Sequence, residues 1–125
     1  MWQKLAWIAF AGAVGTLSRY ALSGFVQKLC GEKFPWGTLA VNVVGCFLFG
    51  MVWALAEERL LLSGETRFIV LTGFMGAFTT FSTFAFESSQ LVRDSEWLLA
   101  AANLISQNVL GLACVFLGFA VSRMF

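Results

Sequence analysis

The sequence predicts an all-α membrane protein of four transmembrane helices, and three observations predict it. Of 125 residues, 59% are hydrophobic and only 12% are charged, and a soluble fold this small has too little interior to hide so much apolar surface. Four stretches, roughly 5–26, 36–56, 68–86 and 97–121, are almost free of charge, each near the ~20 residues a helix needs to cross bilayer hydrocarbon. The connections between them are short and polar, leaving no room for a soluble domain. A single four-helix transmembrane domain therefore occupies 1–125, with helices over roughly 2–27, 35–57, 66–92 and 95–123.

The first helix carries Lys4 ahead of an apolar run with small residues at Ala9, Ala11 and Ala13, which resembles a cleavable leader. The run continues past those residues, which favours retention as a true helix. Trp2, Trp36 and Trp97 stand at segment ends, where an amphipathic ring prefers the headgroup layer. Near the far end of this helix Arg19 follows Gly12, Gly15 and Ser18. Its side chain can snorkel to the interface, or serve as a fixed positive charge that draws an anion toward a water-filled entrance.

Four spans put both termini on one side. That side carries Lys4, Arg59, Arg67 and Arg123, and the other carries Lys28, Lys33 and Arg93, with Arg19 nearer to it. Lys and Arg bias sets orientation, and here it is nearly flat. Both orientations are expected from one gene, and an inverted pair can form a two-fold antiparallel homodimer with its axis in the membrane plane.

The second helix opens Pro35-Trp36-Gly37-Thr38 and continues to Asn42 and Gly45. Proline suits a helix start because its missing N–H costs nothing there. Thr38, Asn42 and Gly45 share one face. Asn42 offers an amide N–H for an anion, or a bond to a neighbouring helix.

The third segment, Thr72-Gly73-Phe74-Met75-Gly76-Ala77-Phe78-Thr79-Thr80-Phe81-Ser82-Thr83-Phe84-Ala85-Phe86-Glu87, combines two glycines with a crowd of hydroxyls and makes a weak continuous helix. A break near 74–80, around mid-membrane, is expected. Irregular backbone at that depth must be buried in protein or line a cavity, and its freed carbonyls can coordinate a cation. Beyond it Thr80, Thr83 and Glu87 fall on one stripe with Ser82 close by, a plausible polar track. Phe78, Phe81 and Phe84 recur every three residues, as packing or as rings whose positive edges face an anion. In the fourth helix Asn103, Gln107 and Gly111 lie along one face with Ser106 and Asn108 flanking, either a pore wall or a set of interhelical hydrogen bonds.

Three cysteines at wide spacing (Cys30, Cys46 and Cys114) and no histidine fit neither a disulfide framework nor a zinc site. A net charge of +1 points to no nucleic-acid partner. No ATP site, redox group or catalytic triad is visible, so an enzyme is not expected.

These motifs together resemble the Fluc, or CrcB, fluoride channel family. The likeness is carried by Gly15-Thr16-Leu17-Ser18-Arg19-Tyr20, by Gly37-Thr38-Leu39-Ala40-Val41-Asn42 with Gly45, and above all by Gly73-Phe74-Met75-Gly76 running into Thr79-Thr80-Phe81-Ser82-Thr83-Phe84 and Glu87. The resemblance implies a dual-topology antiparallel homodimer in a bacterial inner membrane, with two fluoride pathways. It implies a structural sodium ion at the dimer centre, held by main-chain carbonyls of Gly76 and Thr79. It assigns Phe81, Phe84 and Asn42 to the ion path and Ser82, Thr83 and Glu87 to the polar track; Thr38, on the Asn42 face, is expected on the same path and Arg19 is the expected vestibule charge. Gln107, or Ser106, is the expected pore-facing position of the fourth helix. Fluoride export needs no energy source, because neutral hydrogen fluoride enters, releases its proton in the less acidic cytoplasm and strands the anion there. The negative-inside potential then drives the anion out.

Two rivals are weighed against this. A proton-coupled exporter of the small multidrug resistance type depends on a carboxylate deep in the first helix, whereas the first acidic residue here is Glu32, in a connection. A non-transporting scaffold would use its polar residues only to hold helices together.

Overall fold

A computed structural model describes all 125 residues. The chain is wholly helical: α1 is Trp2–Cys30, α2 is Trp36–Glu57, and the last helix is Trp97–Ser122. The third segment is one joined but bent span over Gly64–Arg93. It comprises α3 (Gly64–Phe68), a π-helical stretch Ile69–Met75, α4 (Gly76–Phe78), and α5 (Phe81–Arg93) after the two extended residues Thr79 and Thr80. The Trp97–Ser122 helix is α6. Four spans are therefore long and apolar enough to cross a membrane.

Packing follows small residues. Asn42 lies opposite Gln107, Cys46 opposite Gly111 and Gly50 opposite Val115, so α2 and α6 run parallel in one register. A Cβ added to Gly118 would fall 2.7 Å from the Met51 nitrogen, so this seam closes to backbone contact only because glycine has no side chain. On the opposite flank α1 packs against α2, the π-helical stretch and α4, while α5 packs chiefly on α6. Helices α1 and α6 do not meet. The third segment thus changes neighbours at Thr79–Thr80, its first half lying on α1 and its second on α6.

Only 21 of 125 residues are buried within the chain, and α1 buries Gly15 alone. Helices apolar on most faces that bury so little must be covered by lipid or by another protein surface.

Two details differ from the sequence expectation for physical reasons. Helix α1 runs on to Cys30, and its connection to α2 is held by Gln27. That side chain donates to the Gly31 and Phe34 carbonyls at 2.6 and 2.9 Å and accepts from the Gly37 N–H at 2.9 Å. In the third segment regular helix is lost at the hydroxyl end of the expected 74–80 stretch and not at Gly76, which is regular αR (φ −59°, ψ −31°). The Thr79 hydroxyl donates back to the Met75 carbonyl at 3.0 Å, and Thr80 becomes the N-cap of α5, its hydroxyl accepting from the Thr83 N–H at 3.2 Å. Serine and threonine compete with the helix through such local bonds.

Candidate functional site

The centre of the site is the pair of extended residues. Thr80 has lost its helical partner, and Asn42 from α2 replaces it. Asn42 Oδ1 accepts from the Thr80 N–H at 2.8 Å, and Asn42 Nδ2 donates to the Thr80 carbonyl at 3.0 Å. The remaining amide hydrogen of Asn42 goes to Gln107 Oε1 at 3.1 Å. One amide thereby stands in for both main-chain bonds of a strand-like residue inside a helix bundle. Gly45 completes the arrangement, because a Cβ there would overlap the Thr79 methyl.

The consequence reaches two carbonyls. The Thr80 N–H that would close a helical turn on Gly76 is taken by Asn42. The Thr83 N–H that would close on Thr79 is taken by the Thr80 hydroxyl. Neither the Gly76 nor the Thr79 carbonyl therefore receives the amide a continuous helix would give it.

Two cavities of about 310 Å³ flank Thr80. The first is lined by Asn42, Thr79, Thr80, Phe81, Phe84 and Gln107, among others. Within it the Phe81 and Phe84 rings meet edge to face, with centroids 5.7 Å apart. Phe84 is 8% exposed and Phe81 78%, so the pair joins a packed ring to one presented outward. The second cavity contains Arg19 with the hydroxyls of Thr16, Ser23, Thr38, Thr80 and Thr83, a basic group among neutral donors. Thr83 and Thr80 share a hydroxyl bond of 2.9 Å. Thr38 donates to Glu87 Oε1, and Glu87 in turn lines a mouth shared with Gln27, Lys33 and Asp94.

Not every expected position joins this group. Ser82 is exposed on α5 and lines neither cavity. The Ser106 hydroxyl donates to the Asn103 main-chain carbonyl at 3.3 Å, whereas Gln107 lines the first cavity. The stripe of Phe78, Phe81 and Phe84 does not hold as one face, because the two extended residues interrupt the helical period. Phe78 is buried and stacks on Phe74, with centroids 5.4 Å apart.

The model of the family described as CrcB-like protein, Camphor Resistance (CrcB), matches residues 6–119. The chain belongs to the CrcB family. A relative from Nitrosococcus oceani, named Fluoride-specific ion channel FluC, is 80% identical over 123 residues, covering 98% of each chain. Proteins of the same name from Solidesulfovibrio magneticus and Desulforapulum autotrophicum are 56% and 51% identical, each match covering 99% of both chains.

Within this CrcB chain Thr80, placed by its spacing on the polar track, is also the N-cap of α5 and lines both cavities. Asn103 was visible only as one of two alternatives. Gln107 lines a cavity and accepts from Asn42 of α2, while Asn103 is fully buried and donates to Ser88 Oγ of α5 at 2.9 Å, so both make interhelical bonds. Ser88 had no signal at all.

Proposed function

We propose that this chain is the subunit of a fluoride channel through which cytoplasmic fluoride leaves a bacterial cell passively, down its electrochemical gradient. The observation that carries this reading is near full-length similarity to relatives named Fluoride-specific ion channel FluC. The local chemistry supports it. Arg19 attracts an anion at one cavity, and hydroxyls along Thr38, Thr80 and Thr83 replace part of its hydration shell. The Phe81 and Phe84 edges offer weak positive charge while their bulk excludes large hydrated ions. Such a protein works as a conduit in the inner membrane and not as an enzyme. Purified protein in liposomes should release trapped fluoride rapidly, read with a fluoride electrode, and retain chloride. Liposomes that hold their fluoride would remove the proposal.

The working unit is an antiparallel homodimer inserted in both orientations. The nearly flat distribution of basic residues supports dual insertion, and the large apolar surface left uncovered in one chain supports a partner. Cys30 is exposed at the end of α1, on the side opposite the termini. A membrane-impermeant thiol reagent on intact cells is expected to label about half of it, as two orientations require, and the rest only after permeabilisation. Labelling of all or none of Cys30 from outside contradicts dual topology.

A sodium ion at the two-fold axis completes the proposal. The Gly76 and Thr79 carbonyls, deprived of helical donors, are hard oxygen ligands of the kind unwound membrane helices give to sodium. The ion would relieve two partial negative charges per subunit and tie the two bent segments together. Replacing sodium with N-methylglucamine during purification is expected to lower the thermal stability of the dimer in detergent. Identical melting in both salts contradicts a structural sodium.

A further inference from the structure

The hydrogen bonds around the first cavity form a chain whose direction is fixed at both ends. At one end the Ser88 hydroxyl donates to the Phe84 carbonyl at 2.8 Å, so its oxygen can only accept. It accepts from Asn103 Nδ2 at 2.9 Å, which turns Asn103 Oδ1 toward Gln107. Gln107 Nε2 donates to that oxygen over a longer 3.4 Å. At the other end the Thr80 N–H and carbonyl orient Asn42, whose Nδ2 then requires Gln107 to present Oε1. Main-chain groups on either side thus demand the same orientation of the Gln107 amide.

Both amide hydrogens of Asn42 have partners, whereas Gln107 Nε2 uses one of its two, and Gln107 lines the cavity. Two amide donors are left over at that wall, one on Gln107 and one on Asn108, whose Nδ2 donates only to the Leu104 carbonyl of its own helix; of the two, Gln107 is the one whose direction is set by side chains bonded to other helices. Reversal of the Gln107 amide would offer an anion a carbonyl oxygen in its place, converting attraction into repulsion.

We propose that Asn103 and Ser88 are positioning residues that fix the direction of the Gln107 amide, so that the cavity beside Phe81 and Phe84 presents an anion with a hydrogen-bond donor. This rests on the channel reading above. Asn103 is 0% exposed and Ser88 7%, and neither lines the cavity, so neither meets an ion there directly.

A double-mutant cycle on fluoride efflux from liposomes separates this role from a packing role. Asn103→Leu, an apolar replacement of similar shape, is expected to slow efflux about tenfold, the value of one hydrogen bond to an ion. Gln107→Leu should slow it comparably. The double variant should be no slower than the slower single one, because Asn103 has nothing left to orient. Losses that multiply to about a hundredfold overturn the inference, as does an Asn103→Leu rate equal to wild type. Size exclusion and melting temperature are recorded for every variant, so that lost assembly is not read as lost transport. If Asn103→Leu does not assemble, Ser88→Ala replaces it in the same cycle, with the same two outcomes deciding. Wild-type liposomes that release no fluoride overturn the channel reading itself and this inference with it. An active wild type with multiplying losses overturns this inference alone.

Discussion

Changing Phe81 or Phe84 to isoleucine is expected to cut fluoride efflux sharply while the protein still assembles. Isoleucine keeps bulk and apolarity but removes the ring quadrupole, an interaction worth roughly 0.5–1.5 kcal/mol in aromatic contacts. At the upper end that is about tenfold in rate for each ring. The two variants should differ in stability. Phe81 is largely exposed in the chain, so its replacement should leave the melting temperature nearly unchanged. Phe84 is buried against its neighbours, and a conservative apolar swap there usually costs less than about 1.5 kcal/mol. Efflux is measured in liposomes and assembly by size exclusion and thermal melting in detergent. Normal efflux from both variants would assign the rings to packing and leave the ion path to the hydroxyls and amides.

The second large effect is expected at Asn42. Replacement by alanine leaves the Thr80 N–H and carbonyl without their partner inside the bundle. An unsatisfied buried group costs about 1–3 kcal/mol, so two should lower stability by roughly 2–6 kcal/mol. Transport should vanish, because the cavity wall and the interruption share this side chain. Hydrogen exchange gives a local readout: the amides following Thr80 should exchange faster than those of the α2–α6 seam, where no bond is lost. Native-like melting and efflux in Asn42→Ala would mean that the extended residues hold their shape unaided.

Much of the architecture was legible because a bilayer constrains it so strongly. Every backbone polar group must be satisfied within the membrane, so an apolar run near 20 residues is read as a helix almost regardless of neighbours. Ends were harder. Helix α1 gained its last turn from Gln27, whose three bonds fix the connection, and nothing local foretells such a tertiary clasp. The third segment reads as weak from its glycines and its hydroxyls together, which does not say which of the two gives way. Gly73 lies close to α1, where a Cβ would meet the Ala11 side chain at 2.9 Å, and the helix gives way nearly two turns later, at the hydroxyls of Thr79 and Thr80. Composition signals that a helix is fragile, while the bonds on offer nearby decide where it yields.

The sequence by itself determined the four spans, the flat charge balance, the residue types of the polar track and the family. These follow from local composition, from periodicity and from motif order, all of which survive without knowing what touches what. Only the tertiary structure decided that Asn42 bonds the Thr80 backbone, that Gln107 and not Ser106 lines the cavity, and that Asn103 and Ser88 set amide direction behind it. The physical reason is that an amide or hydroxyl carries both donor and acceptor. Which face it shows depends on partners brought from helices far apart in the chain.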